Sequence, residues 1–585
     1  MFDYLTLDGL FTSISMPPVV RAARMERLTR LTRWLGLVPL AALALTAAGC
    51  GGASNAGGPA AAAAAPLTTP KASAGPTFPV FRVAQDTSID YLDPGLTYSP
   101  EGLNVIWNVY LPLLGYRHVN GAGGATIVPY LARAMPKVSA DGRTYTLVLR
   151  SGLKYSNGQP VKASDFKATV ERDFKLDSPG AGYFYNIVGA DAARKTKGGH
   201  ISGIVANDTT GKISITLKTP QGDFANVLAS EFAAPVPANA PASDTSTHPL
   251  PATGPYVIQS YAPNKQIVEV RNPQFHALRL GGNVPAGNPD KVIWDIVGDA
   301  ASALQRTTSG QDDWDPQAIP VNSLAETEAK YGDQLKVYTP PNTYYFFMNT
   351  RVAPFNKLKV RQAVNYAIDR NALVAIYGGL ASPTENILPP TYPSYTKHSL
   401  YRHDLAKARK LIKQAGATGA HVTVWNHDRG LDPKATEYLV KVLDSIGLKA
   451  KQHIVTSAVY WATVGNEATN AQIGFADWFQ DYPHPLDWFD VLLNGERITK
   501  TYNNNYANFN DKAVNAEIDD LNKQPIPTSP VNSRWASLDR QIMLQAPWAP
   551  FLNREFTDYF NAKVDLGCYV NQVVYGFDYS TICMR

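Results

Sequence analysis

Residues 144–174 read TYTLVLRSGLKYSNGQPVKASDFKATVERDF. Thr144 to Leu149 alternate with the two-residue period of a half-buried strand. Asp141-Gly142 ahead of them makes a turn, and Ser151 to Gly158 read as a second strand and turn. Lys162 to Lys175 change period. Phe166, Val170 and Phe174 recur every four residues, which puts them on one helix face. Ser164 is the expected N-cap of that helix.

The same change of period repeats along the chain. Val360, Ala363, Val364, Ala367 and Ile368 follow helical spacing. In 401–416, Asp404 is the expected N-cap, Leu405, Ala408, Leu411 and Ile412 form an apolar stripe, and Gly416 is the stop. Residues 437–455 read as helix then strand, while Gly121 to Gly124 read as the end of a hairpin. Strands alternating with helices predict α/β lobes. With 585 residues, 45% of them apolar and 18% charged, the chain is globular and long enough for two or three domains. The formal net charge is +5 with no Lys/Arg block, which gives nucleic-acid binding no support.

The N-terminus has its own grammar. Arg21, Arg24, Arg27, Arg30 and Arg33 precede an uncharged run from Trp34 to Gly49, too short to span a bilayer of roughly 20 residues. A basic region, an apolar region and small residues make a secretory signal. Residues 51–77, mostly Gly, Ala, Ser, Thr and Pro, read as a flexible tether. The run ends Leu-Thr-Ala-Ala-Gly-Cys, which resembles a bacterial lipoprotein signal. That resemblance implies lipidation of Cys50, although Ala47 stands where Leu is commonest. Met25 is the expected initiator. The other cysteines, Cys568 and Cys583, either pair in an oxidising compartment or remain two free thiols.

Taken together, 144–174 closely resembles the signature of the extracytoplasmic solute-binding proteins of family 5, the oligopeptide/dipeptide class serving ABC importers. Lys162 departs from it, standing where the family often has Thr. Further similar stretches follow in order: PATGPYVIQSYAPNKQIVEVRNPQFH (251–276), ALQRTTSGQDDWD (303–315), FFMNTRVAPFNKLKVRQAVNYAIDRNALV (346–374) and DWFQDYPHP (477–485). The resemblance implies a two-lobed periplasmic-binding-protein-like α/β fold (type II, cluster C) with an extra subdomain on the first lobe. Mapped onto this chain, 1–49 is the signal and 50–77 the tether. Lobe I takes 78–115, 250–340 and 547–585, with its extra subdomain at 116–249, and lobe II takes 341–546. The implied function is a monomeric, lipid-anchored substrate receptor on the outer face of the cell membrane. It passes peptides or another small solute to ABC permease and ATPase subunits.

Residues 475–490 carry the chemistry. Six of the sixteen are Trp, Phe or Tyr and four are Asp, and Pro483 and Pro485 make 482–485 a rigid turn. Composition alone favours core strand and turn here. The resemblance instead makes Asp481 the carboxylate that holds a peptide's N-terminal amine, with Trp478, Tyr482 and Trp488 as cleft walls. Asp477, Asp487 and Asp490 are left as turn and surface residues, and Arg361 and Asp369 as scaffold ion partners. No HExxH, GxSxG or phosphate loop occurs, so no catalytic residue, metal or cofactor is expected. The histidine pairs His398/His403 and His421/His427, and the pair Asp312–Asp313, are read as surface groups. Two other classes stay open: an extracytoplasmic hydrolase of peptide or glycan, and a sensory receptor without a transport role.

Overall fold

The computed structural model describes residues 78–585 apart from 197–198, 318 and 525–527. The signal, the tether and Cys50 lie outside the described residues. The described chain divides into two units, one holding the helix Val321–Tyr331 and the other taking in 78–320 and 333–585. Everything below concerns the larger unit. No helix among the described residues is long and apolar enough to cross a membrane.

Two large sheets organise it. One has seven strands in the order Leu335–Tyr338, Phe556–Phe560, Trp314–Asp315, Phe81–Gln85, Lys291–Ile296, Gln266–Arg271, Tyr256–Ala262. The other has six, in the order Ala381–Pro383, Trp548–Arg554, Asn342–Met348, Ile473–Phe479, His421–His427, Lys449–Val455. The first sheet buries its own Trp294, Trp314 and Tyr256 in one core with Tyr579. The second is apolar on both faces. Phe346, Phe475 and Phe551 face one core, and Tyr345, Phe347 and Trp548 face the other. Every residue of Asn342–Met348 is therefore buried, as expected of a central strand covered on both sides.

A four-stranded sheet, Lys137–Val138, Thr144–Val148, Lys212–Thr216, Ile204–Asn207, builds the extra subdomain. The helix Ala163–Leu176 lays Phe166, Val170 and Phe174 into the same core as Leu147 and Ile215 of that sheet. Its N-terminus is held differently from the sequence expectation. Asp165 accepts the Lys162 N–H at 2.8 Å, while the Ser164 hydroxyl donates to Asp208. Asp404 does cap Leu405–Gln414, accepting from the Lys407 N–H at 2.8 Å. Arg361 and Asp369 serve the scaffold without an ion pair among the described residues. Arg361 donates to the carbonyls of Phe355 and Gln545, and Asp369 caps a separate helix, Arg370–Ile376.

The chain passes between the large sheets twice, through 339–341 and through Glu555. Strand Trp548–Arg554, assigned from sequence to lobe I, pairs with Asn342–Met348 in the second sheet. Burial of Ala549, Phe551 and Leu552 in that sheet's core, with Trp548 stacked 3.6 Å from Tyr345, keeps it there. The second lobe thus runs to 554. The crossings lie side by side and are clasped by buried Asn342. Its amide donates to the carbonyls of Pro340 (2.7 Å) and Arg554 (2.9 Å), and its Oδ1 accepts the Arg554 N–H at 2.8 Å. Asn342→Ala strands those backbone groups. It should cost about 1–3 kcal/mol, read as a lower urea midpoint; an unchanged midpoint would deny Asn342 the clasp.

The C-terminal segment returns to the first lobe. Cys568 and Cys583 are joined in a disulfide. The loop they close carries the hairpin Asn571–Gln572 and Gly576–Phe577, which packs on 120–124 of the extra subdomain through Gln572 and Asn571.

Candidate functional site

The strand Ile473–Phe479 lies in the middle of the second sheet, between Asn342–Met348 and His421–His427. It delivers the turn 480–485 to the edge facing the first lobe, and Pro485 then starts the helix Leu486–Leu493. That turn makes the contacts across the cleft. Asp481 accepts from the Tyr98 hydroxyl at 2.9 and 3.0 Å and from the Tyr183 hydroxyl. Tyr98 precedes the first-lobe helix Pro100–Ile106, and Tyr183 belongs to the turn Pro179–Phe184 of the extra subdomain. Tyr482 buries its ring in the core of the extra subdomain and donates to Asp223 at 2.6 Å. Gln480 donates to the Val573 carbonyl of the disulfide-closed loop at 3.1 Å. Three consecutive residues of one lobe therefore bond to four segments of the other, and the lobes are closed on one another.

The electrostatics of this contact are one-sided. Burial pushes the Asp481 carboxyl up, and the two tyrosine hydroxyls only partly oppose it. Burial also pushes Asp487 well up, and the charge of Asp481 adds to it. Burial holds Glu231, whose carboxyl also feels Asp481, up at about 8. No Lys, Arg or His pairs with Asp481 among the described residues, so the carboxylate has hydroxyl donors but no counter-charge.

The profile of the bacterial extracellular solute-binding proteins, family 5 Middle, matches residues 126–500. The chain belongs to that family. Among its relatives, the glutathione-binding protein GsiB of Salmonella typhi is 27% identical over 430 residues, covering 71% of this chain and 78% of its own. The fold is that of two-lobed solved structures. The clavulanic acid biosynthesis oligopeptide binding protein 2 superposes with a TM-score of 0.80 at 24% identity, covering 86% of this chain and 95% of its own. Helicobacter pylori DppA in complex with peptide STSA superposes with a TM-score of 0.70 at 20% identity, covering 86% and 98%.

Within this solute-binding protein, the residues singled out from sequence part company. Asp481 and Tyr482 face the other lobe. Trp478 is half-buried and turns its indole N–H to Asp487 at 3.1 Å. Trp488 is not a cleft wall. It is fully buried in the second-lobe core and donates to the Tyr392 hydroxyl at 2.9 Å, because the helix Leu486–Leu493 has almost no polar face to turn outward. The same helix buries Asp487 completely, which overturns its surface reading. Asp490 pairs with Arg497 at 3.0 Å.

Asp477 belongs to a second group of charges, near the crossings between lobes. Burial, then the neighbouring Asp432, raises it to about 7, and burial raises Asp432 to about 6. Tyr377 donates to Asp432 at 2.5 Å. Arg554 lies over the rings of Phe556 (5.0 Å) and Tyr377 (5.7 Å) and makes no ion pair among the described residues.

Other surface expectations also fail. Asp312 and Asp313 are buried, Asp312 against Arg306 and Asp313 accepting the Arg82 N–H at 2.9 Å. His398 sits buried 3.2 Å from Asp539, and His427 lies between Tyr460 and Phe475. No group of three or more His, Cys, Asp or Glu among the described residues is arranged to hold a metal.

Tyr98, Tyr183 and Asp223 had no sequence signal. Each is far along the chain from the turn it meets, and lone tyrosines in loops carry no motif. Asp487 had one: an acid in the first turn of an otherwise apolar helix has no polar side on which to lie.

Proposed function

We propose that this protein is the membrane-anchored, extracytoplasmic substrate-binding component of an ABC importer. It takes peptides into the cleft between its lobes and hands them to the permease. Asp481 holds the ligand's N-terminal amine. The observation that carries this reading is a carboxylate placed between the lobes, supplied with two hydroxyl donors and with no cation paired to it among the described residues. A ligand ammonium satisfies it with charge-assisted bonds of about 1.5–3 kcal/mol each. Bound ligand bridges both lobes and so favours the closed form. Arg554, with Asp432 and Asp477 beside it, suits a ligand carrying further charge. The glutathione and oligopeptide named for its relatives are consistent with such cargo.

Mass spectrometry of molecules that co-purify with the lipid-free body tests the reading. Peptides with free N-termini are expected. Recovery of sugars or N-blocked compounds alone would remove the amine role. N-acetylation of a recovered peptide should weaken its binding at least tenfold, about 1.4 kcal/mol, and no product should accumulate on incubation.

A further inference from the structure

Asp487 lies one layer behind the amine contact, and its surroundings are unusual for a carboxylate. It is 0% exposed. Its Oδ2 accepts from the Asp481 backbone N–H at 3.0 Å and from the Trp478 indole at 3.1 Å, while Oδ1 is buried with no partner. The ionisable groups that interact with the two carboxyls and their hydroxyl partners include Tyr98, Tyr116, Tyr183, Tyr392, Tyr482, Asp223 and Glu231. All are acids or phenols. His484, three residues away in the same turn, is kept neutral by burial, its pKa lowered to about 3. Two ionised carboxylates here would lose hydration with no cation to replace it. The empty pocket is better satisfied with one proton on the pair. Both donors converge on Oδ2, so Oδ1 of Asp487 is the oxygen left to carry that proton.

We propose that Asp487 is a positioning residue of the amine pocket: it fixes the backbone of Asp481 and, in the empty cleft, carries a proton that leaves to solvent when a ligand ammonium enters. This rests on the amine-pocket reading above. One proton departs, one ammonium arrives, and the pocket's charge balance is kept without any covalent step. Ligand and proton then compete for the same two carboxyls. Affinity for a free-amine ligand should rise with pH by up to about tenfold per pH unit while the exchange is complete. The rise flattens once the empty pocket sheds its proton unaided, and affinity falls again where the ligand's own amine loses its proton, near pH 8.

The test uses ligand-stripped protein and a pool of short casein-derived peptides with free N-termini, alongside the same pool N-acetylated. Peptide bound and protons released are read together, the latter with an indicator dye in weak buffer, between about pH 5 and pH 8. The wild type should bind the free-amine pool, reject the acetylated pool and release close to one proton per peptide at the acid end. Asp487→Asn keeps an oxygen for the two donors; it should still bind, with proton release reduced at least twofold and a flatter pH dependence. Amine-dependent binding without proton release in the wild type, or release unchanged in Asp487→Asn, overturns the proposal and leaves the amine pocket standing. Failure of acetylation to matter overturns both. The wild-type measurement decides the case alone if the variant does not fold.

Discussion

Asp481→Asn is expected to weaken binding of free-amine peptides at least tenfold while leaving the fold intact. The substitution is nearly isosteric and keeps an oxygen for the Tyr98 and Tyr183 hydroxyls that hold Asp481, so the closed contact survives. What it removes is the charge. A ligand ammonium enclosed between the lobes then loses the carboxylate it touches, and the cost of leaving an enclosed ion wholly unpaired is about 3–5 kcal/mol when water is fully excluded. Asp481 keeps some contact with water, which sets the expected loss between that figure and the tenfold minimum. Calorimetry on the lipid-free body measures it, with circular dichroism to show that the fold is retained. N-acetylated peptides should bind wild type and variant equally poorly. Unchanged affinity for free-amine peptides would take Asp481 out of the site.

The largest stability effect is expected far from the turn. Arg172, on the helix Ala163–Leu176, forms a bidentate pair with Asp93 at 2.8 and 2.5 Å. Both are buried, and Arg172 also donates to the carbonyls of Pro241 and Ser243. Asp93 accepts further from Thr245 and from the Gly95 N–H. Burial alone would raise the Asp93 carboxyl, but Arg172, with the Thr245 hydroxyl and the Gly95 N–H, outweighs it and holds the group below the usual carboxylate range. Because the folded value is depressed, this stabilisation is present above the ordinary carboxylate range. It is lost only as pH falls through the lowered value. Asp93→Ala leaves a guanidinium buried without its partner and should cost about 3–5 kcal/mol, seen in urea unfolding at neutral pH. Replacing both residues with apolar ones, Asp93→Leu with Arg172→Met, should recover most of that loss, since neither charge then remains. A single variant as stable as the wild type would show that the pair contributes nothing.

The sequence made the fold legible where periodicity and motif agreed. Phe166, Val170 and Phe174 face the core, and Asp404 caps its helix, because these are local relations within one or two turns. The boundary at 547 failed for a non-local reason. Strand Trp548–Arg554 is apolar enough for either sheet, and only its pairing with Asn342–Met348 decides. The site shows the same division. Asp481 was reachable through its motif, but its partners Tyr98 and Tyr183 lie 383 and 298 residues away. Trp488 failed because aromatic residues next to a binding motif look alike from sequence, whether they line a cleft or fill a core. Asp487 defies the expectation because acids are usually exposed, whereas its helix, Leu486–Leu493, is apolar almost all round and buried.

The double crossing between the sheets also sets an order of assembly. The six-stranded sheet draws all its strands from one continuous run, 342–554, and can be completed as soon as that run is free to fold. The seven-stranded sheet cannot. Its strand Phe556–Phe560 pairs with both Leu335–Tyr338 and Trp314–Asp315, and it is among the last parts of the chain to arrive. Until then those two strands present open edges, the feature most prone to pairing with the wrong chain. The lobe that supplies the first described strand is thus the lobe that finishes last, and the contact between the lobes is complete only once roughly the final thirty residues have been delivered.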